Sequence, residues 1–476
     1  MAAANAYPGY QPVRSRWVSR VPEHWSLLRA KNFLREIDDR TKTGEETLLS
    51  MRQHRGLVPH NDVSVKRIPP ENLIGYKKAR PDELVLNRMQ AGNAMFFRNR
   101  LSGLVSPDYA VFRLLRDDCP EYLGYLFRSW SIRGLFRSES KGLGTGTSGF
   151  LRLYSDRFAA LEIPLPTRPE QDQIVAYLRA QDAHIARLIK AKRELIKLLT
   201  EQKQRIVVSF LTGRSLHSES LKASGNLWLG HVPSSWVVCR VKAQLFINEG
   251  GCWGDDPVGN TGTPVLRSTE QAMDGSWKVN KPAIRLLSHK EAEAKSLKCG
   301  DLVMTKSSGS ERHIGKTSLV NAEIEALGCC FSNFMQRLRP KPTTSSKWIW
   351  FLLNSRLGRD QMAFGSNSTT GLGNLTRDVI GNVWFAMPPK VVQDELIEQL
   401  EIELKPIDSA IAQERDQIKL ILEYRDRQIA DVVTGQVDVR GWVPGPDDAV
   451  ADDDLAVLGD DEESDTDGEE DNDQEN

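Results

Sequence analysis

Apolar and seam positions recur at steps of four and three through residues 170–214. They fall at Ile174, Leu178, Gln181, Ile185, Leu188, Lys192, Leu195, Leu199, Gln202 and Ile206, and no Gly or Pro interrupts them. This heptad spacing predicts one long helix with a narrow apolar seam, about 60 Å in length at 1.5 Å per residue. One stripe of that width does not hold a helix in water, so a partner helix is required. Residues 393–436 supply it, because the same pattern returns without a gap 222 positions later. Gln171–Asp172 recurs as Gln393–Asp394, Leu178 as Leu400, Ile185 as Ile407, Lys192 as Glu414, Leu199 as Ile421 and Thr212–Gly213 as Thr434–Gly435. The second helix contains Pro406, opposite His184 in the repeat. A mid-helix proline costs about 3 kcal/mol unless the helix bends or restarts, so a kink is expected at 404–407.

Upstream the copies match at an offset of 211, where Trp17, Val21–Pro22, Trp25, Arg29 and Lys31 recur as Trp228, Val232–Pro233, Trp236, Arg240 and Lys242. The chain is a tandem duplication, and the second copy gains length between residues 243 and 363. Each copy opens with a region of mixed pattern. ELVLNRM at 83–89, GLVSPDYAVFRLL at 103–115, ALEIPLP, GDLVMTKSS and NVWFAMPP have the short apolar runs of strands. PEYLGYLFRSWSIRGLFRS at 120–138 and KWIWFLLNSRLGRDQMAF have helical spacing, with Tyr122, Leu126, Trp130 and Leu135 near one face. An α+β fold is predicted: two globular heads in tandem repeat, separated by two long helices in an antiparallel coiled coil. The expected domains are a first head at 1–165, a helix at 166–214, a linker at 215–227, a second head at 228–387, a distal helix at 388–440 and an acidic, disordered tail at 441–476.

Charge sharpens this picture. Residues 447–476 hold 16 acids and no Lys or Arg, which leaves a body with 63 basic and 48 acidic residues, about +15. A surplus of that size suits a polyanion. The tail is expected either to shield this basic surface or to act as a passive solubilising segment. The six cysteines show no metal or redox spacing and follow no signal peptide, so they read as reduced thiols of a cytoplasmic protein. No run is apolar enough for a membrane span, and no histidine pair has metal-ligand spacing.

Four loops, two in each copy, carry candidate chemistry. Gly144 to Gly149 formally matches G-x-G-x-x-G, but a helix precedes it where the dinucleotide fingerprint needs a strand. The second copy replaces Gly144 and Gly146 with Ser366 and Ser368. A polar loop approaching phosphates or base edges fits better, through Lys141, Thr145, Thr147 and Ser148 and their counterparts Asn367, Thr369 and Thr370. GSERHIGKT at 309–317 has five residues between its glycines where a phosphate-cradling loop has four. A DNA-facing loop presenting Lys306, Ser307, Ser310, Arg312 and Lys316 is expected instead. The matching region of the first head offers Asn87, Arg88, Gln90, Asn93, Arg98 and Arg100. Arg pairs with guanine, and Asn or Gln with adenine, in the major groove. Pro107–Asp108 with Glu139-Ser-Lys141 resembles a metal-nuclease pattern, yet its spacing is loose and the second copy does not repeat it. No catalytic residue and no metal site is assigned.

The opening motif VPEHW with its copy WLGHVPSSW, LVSPDYAVFR, IPLPTRPEQDQIVAYL, MPPKVVQDELIEQL, LTGR and VTGQ together resemble the specificity subunit (HsdS family) of Type I restriction–modification enzymes, from about Trp17 to Val443. The resemblance implies that each head is a target recognition domain reading one part of a split, asymmetric site on double-stranded DNA. It implies a helical spacer and no catalysis by this chain. It further implies two modification (methyltransferase) subunits carrying S-adenosylmethionine, and restriction (translocase/endonuclease) subunits using ATP and Mg. Two heads on such a spacer would meet half-sites about one helical turn, roughly 34 Å, apart. The acidic extension after residue 446 departs from the family pattern. The alternatives are a specificity subunit of a methylation system without a restriction partner, a stand-alone nuclease, or a coiled-coil scaffold.

In an antiparallel pair the helix midpoints meet, so Lys192 and Glu414 are expected to pair and set register. Exchanging the two charges should leave thermal stability near the parent value, whereas Lys192→Glu alone should lower it. Equal effects in thermal melts would discard the pairing.

Overall fold

The computed structural model describes residues 6–13, 17–53, 55–64, 66–93, 95–143, 150–216, 220–257, 259, 261–308, 313–366, 374–451, 455 and 457–458. The chain forms two compact units, one of residues 1–194 with 414–476 and the other of residues 195–413. Two helices of 44 residues each, Arg168–Leu211 and Lys390–Val433, contribute to both units. The architecture is α+β, and the two long helices pair antiparallel.

The head of the first unit is built on a four-stranded antiparallel sheet ordered Leu34–Ile37, Tyr109–Leu114, Leu84–Asn87 and Phe96–Arg98. Alternation along its third strand divides the interior. Leu84 and Leu86 join the main core, while Val85 faces a smaller one with Leu49, Leu57 and Val105. The main core holds Trp25, Phe96, Phe112, Tyr122, Phe127, Phe136 and Phe158. It is completed by Ile174 and Leu178 from the start of the first long helix, and by Val432 and Val433 from the end of the second.

The second unit repeats the plan. Its sheet runs Leu245–Gly250, Met335–Pro340, Leu302–Thr305 and Thr317–Leu319. Its core is completed by Phe210 and Leu211 from one long helix and by Leu396, Leu400 and Leu404 from the other. The length gain is not a single insertion. The offset between copies is 211 at Leu34/Leu245, 218 at Leu84/Leu302, 226 at Tyr109/Met335 and 222 at Leu153/Leu375. The second head also holds a three-stranded sheet, Ala283–Arg285, Thr263–Leu266 and Cys330–Phe331; its parallel pairing of Val265 with Cys330 has a counterpart in the Leu48–Leu104 bridge of the first head.

The repeated Gln-Asp pair has a structural purpose in each copy. Buried Gln171 accepts from the N–H of Cys119 at 2.6 Å and donates to the Pro166 carbonyl at 3.0 Å. Gln393 accepts from Ser345 N–H at 2.8 Å and donates to the Pro388 carbonyl at 2.8 Å. Cys119 and Ser345 are the cap residues of the helices Pro120–Arg128 and Ser346–Asn354. Each long helix thereby satisfies an orphan N–H at the start of a head helix.

Within the first unit the helix pairing is fixed by polar contacts of opposite sequence direction. Gln428 donates to the Tyr177 hydroxyl at 2.8 Å, Arg425 grips buried Asp182 at 2.6 and 3.1 Å, and Lys192 donates to Glu414 at 2.8 Å. Tyr125 also donates to Asp182 at 2.9 Å, tying the head to the helices, and burial pushes its hydroxyl well above the ordinary tyrosine range. In the second unit Lys203 donates to Asp408.

Several expectations are corrected. Ile174, Leu178, Ile185, Leu400 and Ile407 are buried, and Leu199, Ile206, Ile421, Lys192 and Glu414 half-buried, but Leu188 and Leu195 are 47% and 43% exposed. Ala186 and Ile189 take the interior instead. An unsupercoiled helix has 3.6 residues per turn, so a strict heptad drifts about 20° per repeat and the buried stripe moves one position on. Pro406 lies inside the second long helix, which continues as one helix from Lys390 to Val433. The carbonyl that Pro406 leaves unpaired belongs to Ile402, a residue 74% exposed and open to water, while Leu404 and Ile407 anchor the flanks. The helical runs in the heads each break in two, at Ser129 and Ser355, and the break leaves Trp130 exposed. The linker contains the strand Leu221–Ala223, paired with His231–Pro233 just as Tyr10–Pro12 pairs with Arg20–Pro22.

The beginning of the tail is ordered rather than loose. Gln173 donates to the carbonyls of Val439 and Trp442 at 3.3 and 2.6 Å, and Trp442 packs edge-on against Tyr177. His184 meets Asp448 at 2.7 Å, and Arg187 donates to the carbonyls of Asp447 and Ala449. Residues 459–476 lie outside the described residues.

The Thr-Gly pair ending each long helix packs on a Pro-x-x-Trp opening. Gly435 has φ +73°, and a Cβ there would lie 2.3 Å from Pro22 Cδ; Gly213 has φ +72° and would meet Pro233 at 2.4 Å. Left-handed backbone and the absent Cβ are both required. Gly435→Ala should cost roughly 3 kcal/mol by combining backbone strain with overpacking. Gly75→Ala, at φ +85° with open space around it, should cost about 1 kcal/mol. Denaturant titrations giving equal losses would contradict this assignment.

Candidate nucleic-acid interface

In the first head the strand Leu84–Asn87 runs into a 3-10 segment, Arg88–Asn93. The strand Lys141–Leu143 pairs antiparallel with Phe150–Arg152 and carries the Gly-rich loop between them. Leu153, directly after that hairpin, donates its N–H to the Arg88 carbonyl at 3.0 Å. The second head makes the same bond, from Leu375 N–H to the Lys306 carbonyl at 2.8 Å. Leu153 and Leu375 are both fully buried. Each copy therefore joins its basic loop to the base of its Gly- and Ser-rich loop through one main-chain hydrogen bond, independent of the side chains.

An arginine supports the arrangement from behind in both heads. Arg133 donates to the Gly92 carbonyl at 3.3 Å, and Arg359 to the Ile314 carbonyl at 2.6 Å. Both stand four residues after the serine that breaks the helical run, as S-x-x-x-R. Aligning the two copies on Ser129 and Ser355 would have found them. Burial lowers the affinity of the Arg359 guanidinium for its proton. Arg137 adds a contact to the Gly92 carbonyl at 3.2 Å and to Asn93 at 3.3 Å.

The predicted residues divide accordingly. Gln90, Asn93, Arg100 and Lys141 are exposed, and Lys306 and Ser307 are half-buried on the loop base. Arg88 is turned inward, ion-paired with Glu36 and donating to Ser155 at 2.8 Å. Arg98 spans Asp82 and Glu121 at 2.7 and 3.1 Å, and Arg100 reaches Glu121 at 3.5 Å. Lys316 is corrected outright. It is 2% exposed, and its ammonium donates to the carbonyls of Ser268 and Gln271 at 3.1 and 2.8 Å. A lysine so placed neutralises buried carbonyls within the fold and presents no charge to a ligand. Thr145, Thr147, Ser148, Ser310, Arg312, Asn367, Thr369 and Thr370 lie outside the described residues.

The nuclease pattern is not assembled as a pair of free carboxylates. Asp108 faces Arg152 at 3.7 Å, and Glu139 faces Arg157 at 3.7 Å. Among the described residues no three His, Cys, Asp or Glu side chains gather as a metal would need, and no helix is long and apolar enough to cross a membrane.

No protein-family model matches the sequence, and no curated protein resembles it at a significant level. Solved structures do match. One, from work on complex assembly and conformational transition of the type I R-M system, is 17% identical, spans 88% of this chain and 99% of its own, and superposes with a TM-score of 0.52. The HsdS subunit from Thermoanaerobacter tengcongensis is 17% identical over 87% of this chain and 96% of its own, with a TM-score of 0.36. The S subunit of the Type-I restriction-modification system from M. genitalium is 10% identical over 86% and 96%, with a TM-score of 0.32. Over most of its length, the chain shares the fold of the type I R-M structure.

Proposed function

We propose that this chain is the DNA-specificity subunit of a Type I restriction–modification assembly, in which two heads of one plan and different side chains read the two parts of an asymmetric duplex site. The observation that carries the reading is the repeated bond from Leu153 to Arg88 and from Leu375 to Lys306. It preserves a loop pair in both heads while the exposed residues on it differ, as expected of a reader that must recognise two unlike sequences. The basic surplus of the body supplies phosphate attraction.

On this reading the chain binds and positions, and reactions belong to its neighbours in the cytoplasm. Modification subunits with S-adenosylmethionine would methylate adenine, and restriction subunits with ATP and Mg would translocate and cleave. The paired helices offer those neighbours exposed apolar side chains, Leu188, Leu420 and Tyr424 in the first unit and Val391 and Ile402 in the second.

Duplex affinity measured across salt concentrations, with methyltransferase subunits present, tests the reading. Lys141→Ala and Lys306→Ala should each weaken binding across all sequences and lower the salt slope by about one. Lys316→Ala should lower the melting temperature and leave the slope of the folded protein unchanged. Wild-type binding without preference for any duplex sequence would overturn the function.

A further inference from the structure

Beside the loop pair, each head places a tight turn at the entrance to the second strand of its sheet. In the first head it is Ser106-Pro-Asp-Tyr109, and in the second Ser332-Asn-Phe-Met335. The two turns are built alike. The N–H of Tyr109 donates to the Ser106 carbonyl at 3.0 Å, and that of Met335 to the Ser332 carbonyl at 2.9 Å. The serine hydroxyl accepts from the third residue in each, Asp108 N–H at 3.3 Å and Phe334 N–H at 3.2 Å. Such a turn fixes its third residue on both sides.

That third residue is held outward and differs in chemistry between the copies. The Asp108 side chain is 72% exposed, with Arg152 of the Gly-loop hairpin at 3.7 Å. Phe334 is 56% exposed, although the strand residue after it, Met335, is fully buried. The N–H groups of Lys306 and Ser307 both donate to the Phe334 carbonyl, at 3.0 and 3.3 Å, and lock the turn against the basic loop. A large ring left in water on a rigid turn beside a lysine is an apolar contact awaiting a partner. Its position loses little entropy on binding.

We propose that the third turn residue is a base-reading position in both heads, Asp108 accepting from the exocyclic amino group of cytosine and Phe334 contacting the methyl group of thymine. Both pairings follow from the hydrogen-bonding and apolar edges that bases present in the major groove. The proposal rests on the reading of the heads as duplex DNA readers, and it assigns residues that charge alone would pass over, an acid and a hydrocarbon on a basic surface. One framework turn thus gives each half-site a different letter.

The test is selection from a random duplex pool by the full-length chain with methyltransferase subunits, for the parent, Asp108→Ala and Phe334→Ala. The parent should select a split site. Asp108→Ala should lower discrimination about tenfold at one base pair of one half-site, and Phe334→Ala similarly in the other. Because both side chains are exposed, melting temperatures should not change. Variants that keep every position of the parent site would overturn this assignment and leave the proposed function standing. So would variants that weaken binding uniformly. A parent that selects no sequence overturns both.

Discussion

Neither head can close its core without the two long helices. In the first unit Trp25, Tyr122 and Phe127 are sealed by Ile174 and Leu178 on one side and by Val432 and Val433 on the other. In the second, Trp236 and Trp348 are sealed by Phe210, Leu211, Leu396 and Leu400. Burial of such side chains is worth about 1.5–3 kcal/mol each, so removing either helix end would expose an apolar interior. The other regularities follow. The Gln caps fix head helices to the long helices, and the glycines that end those helices are flush against Pro22 and Pro233. Asp182 joins Tyr125 of the head to Arg425 of the partner helix. A head so anchored presents its loops from a rigid base.

Much of this was legible in the sequence because it repeats. A short apolar run marked the strand Leu84–Asn87, where neighbouring residues enter different cores, and a period near 3.5 marked the long helices. The midpoint pair Lys192 and Glu414 could be read from antiparallel geometry alone, and the structure places them at 2.8 Å. What stayed hidden depends on contacts distant in sequence. Nothing in the residues around Lys316 says that the carbonyls of Ser268 and Gln271 will surround its ammonium. Arg88 looked like a reader of guanine because Glu36, 52 positions away, is invisible to a local pattern. The strict heptad misplaced Leu188 because a helix obeying 3.6 residues per turn turns Ile189 inward instead. Composition suggested a loose tail from residue 441, yet Trp442 finds Tyr177 and settles there.

The two cores also differ in when they can be finished. Residues 195–413 form an uninterrupted stretch, so every side chain of the second unit has been made before Glu414 is added. The first unit is split, and Val432, Val433 and Val439, which plug its interior, are made after the whole of the second unit. During synthesis the earlier-made half must therefore wait, its apolar groove between Tyr122 and Ile174 open, while the later-made half is already complete. The core begun first along the chain is the one whose last residues are made second.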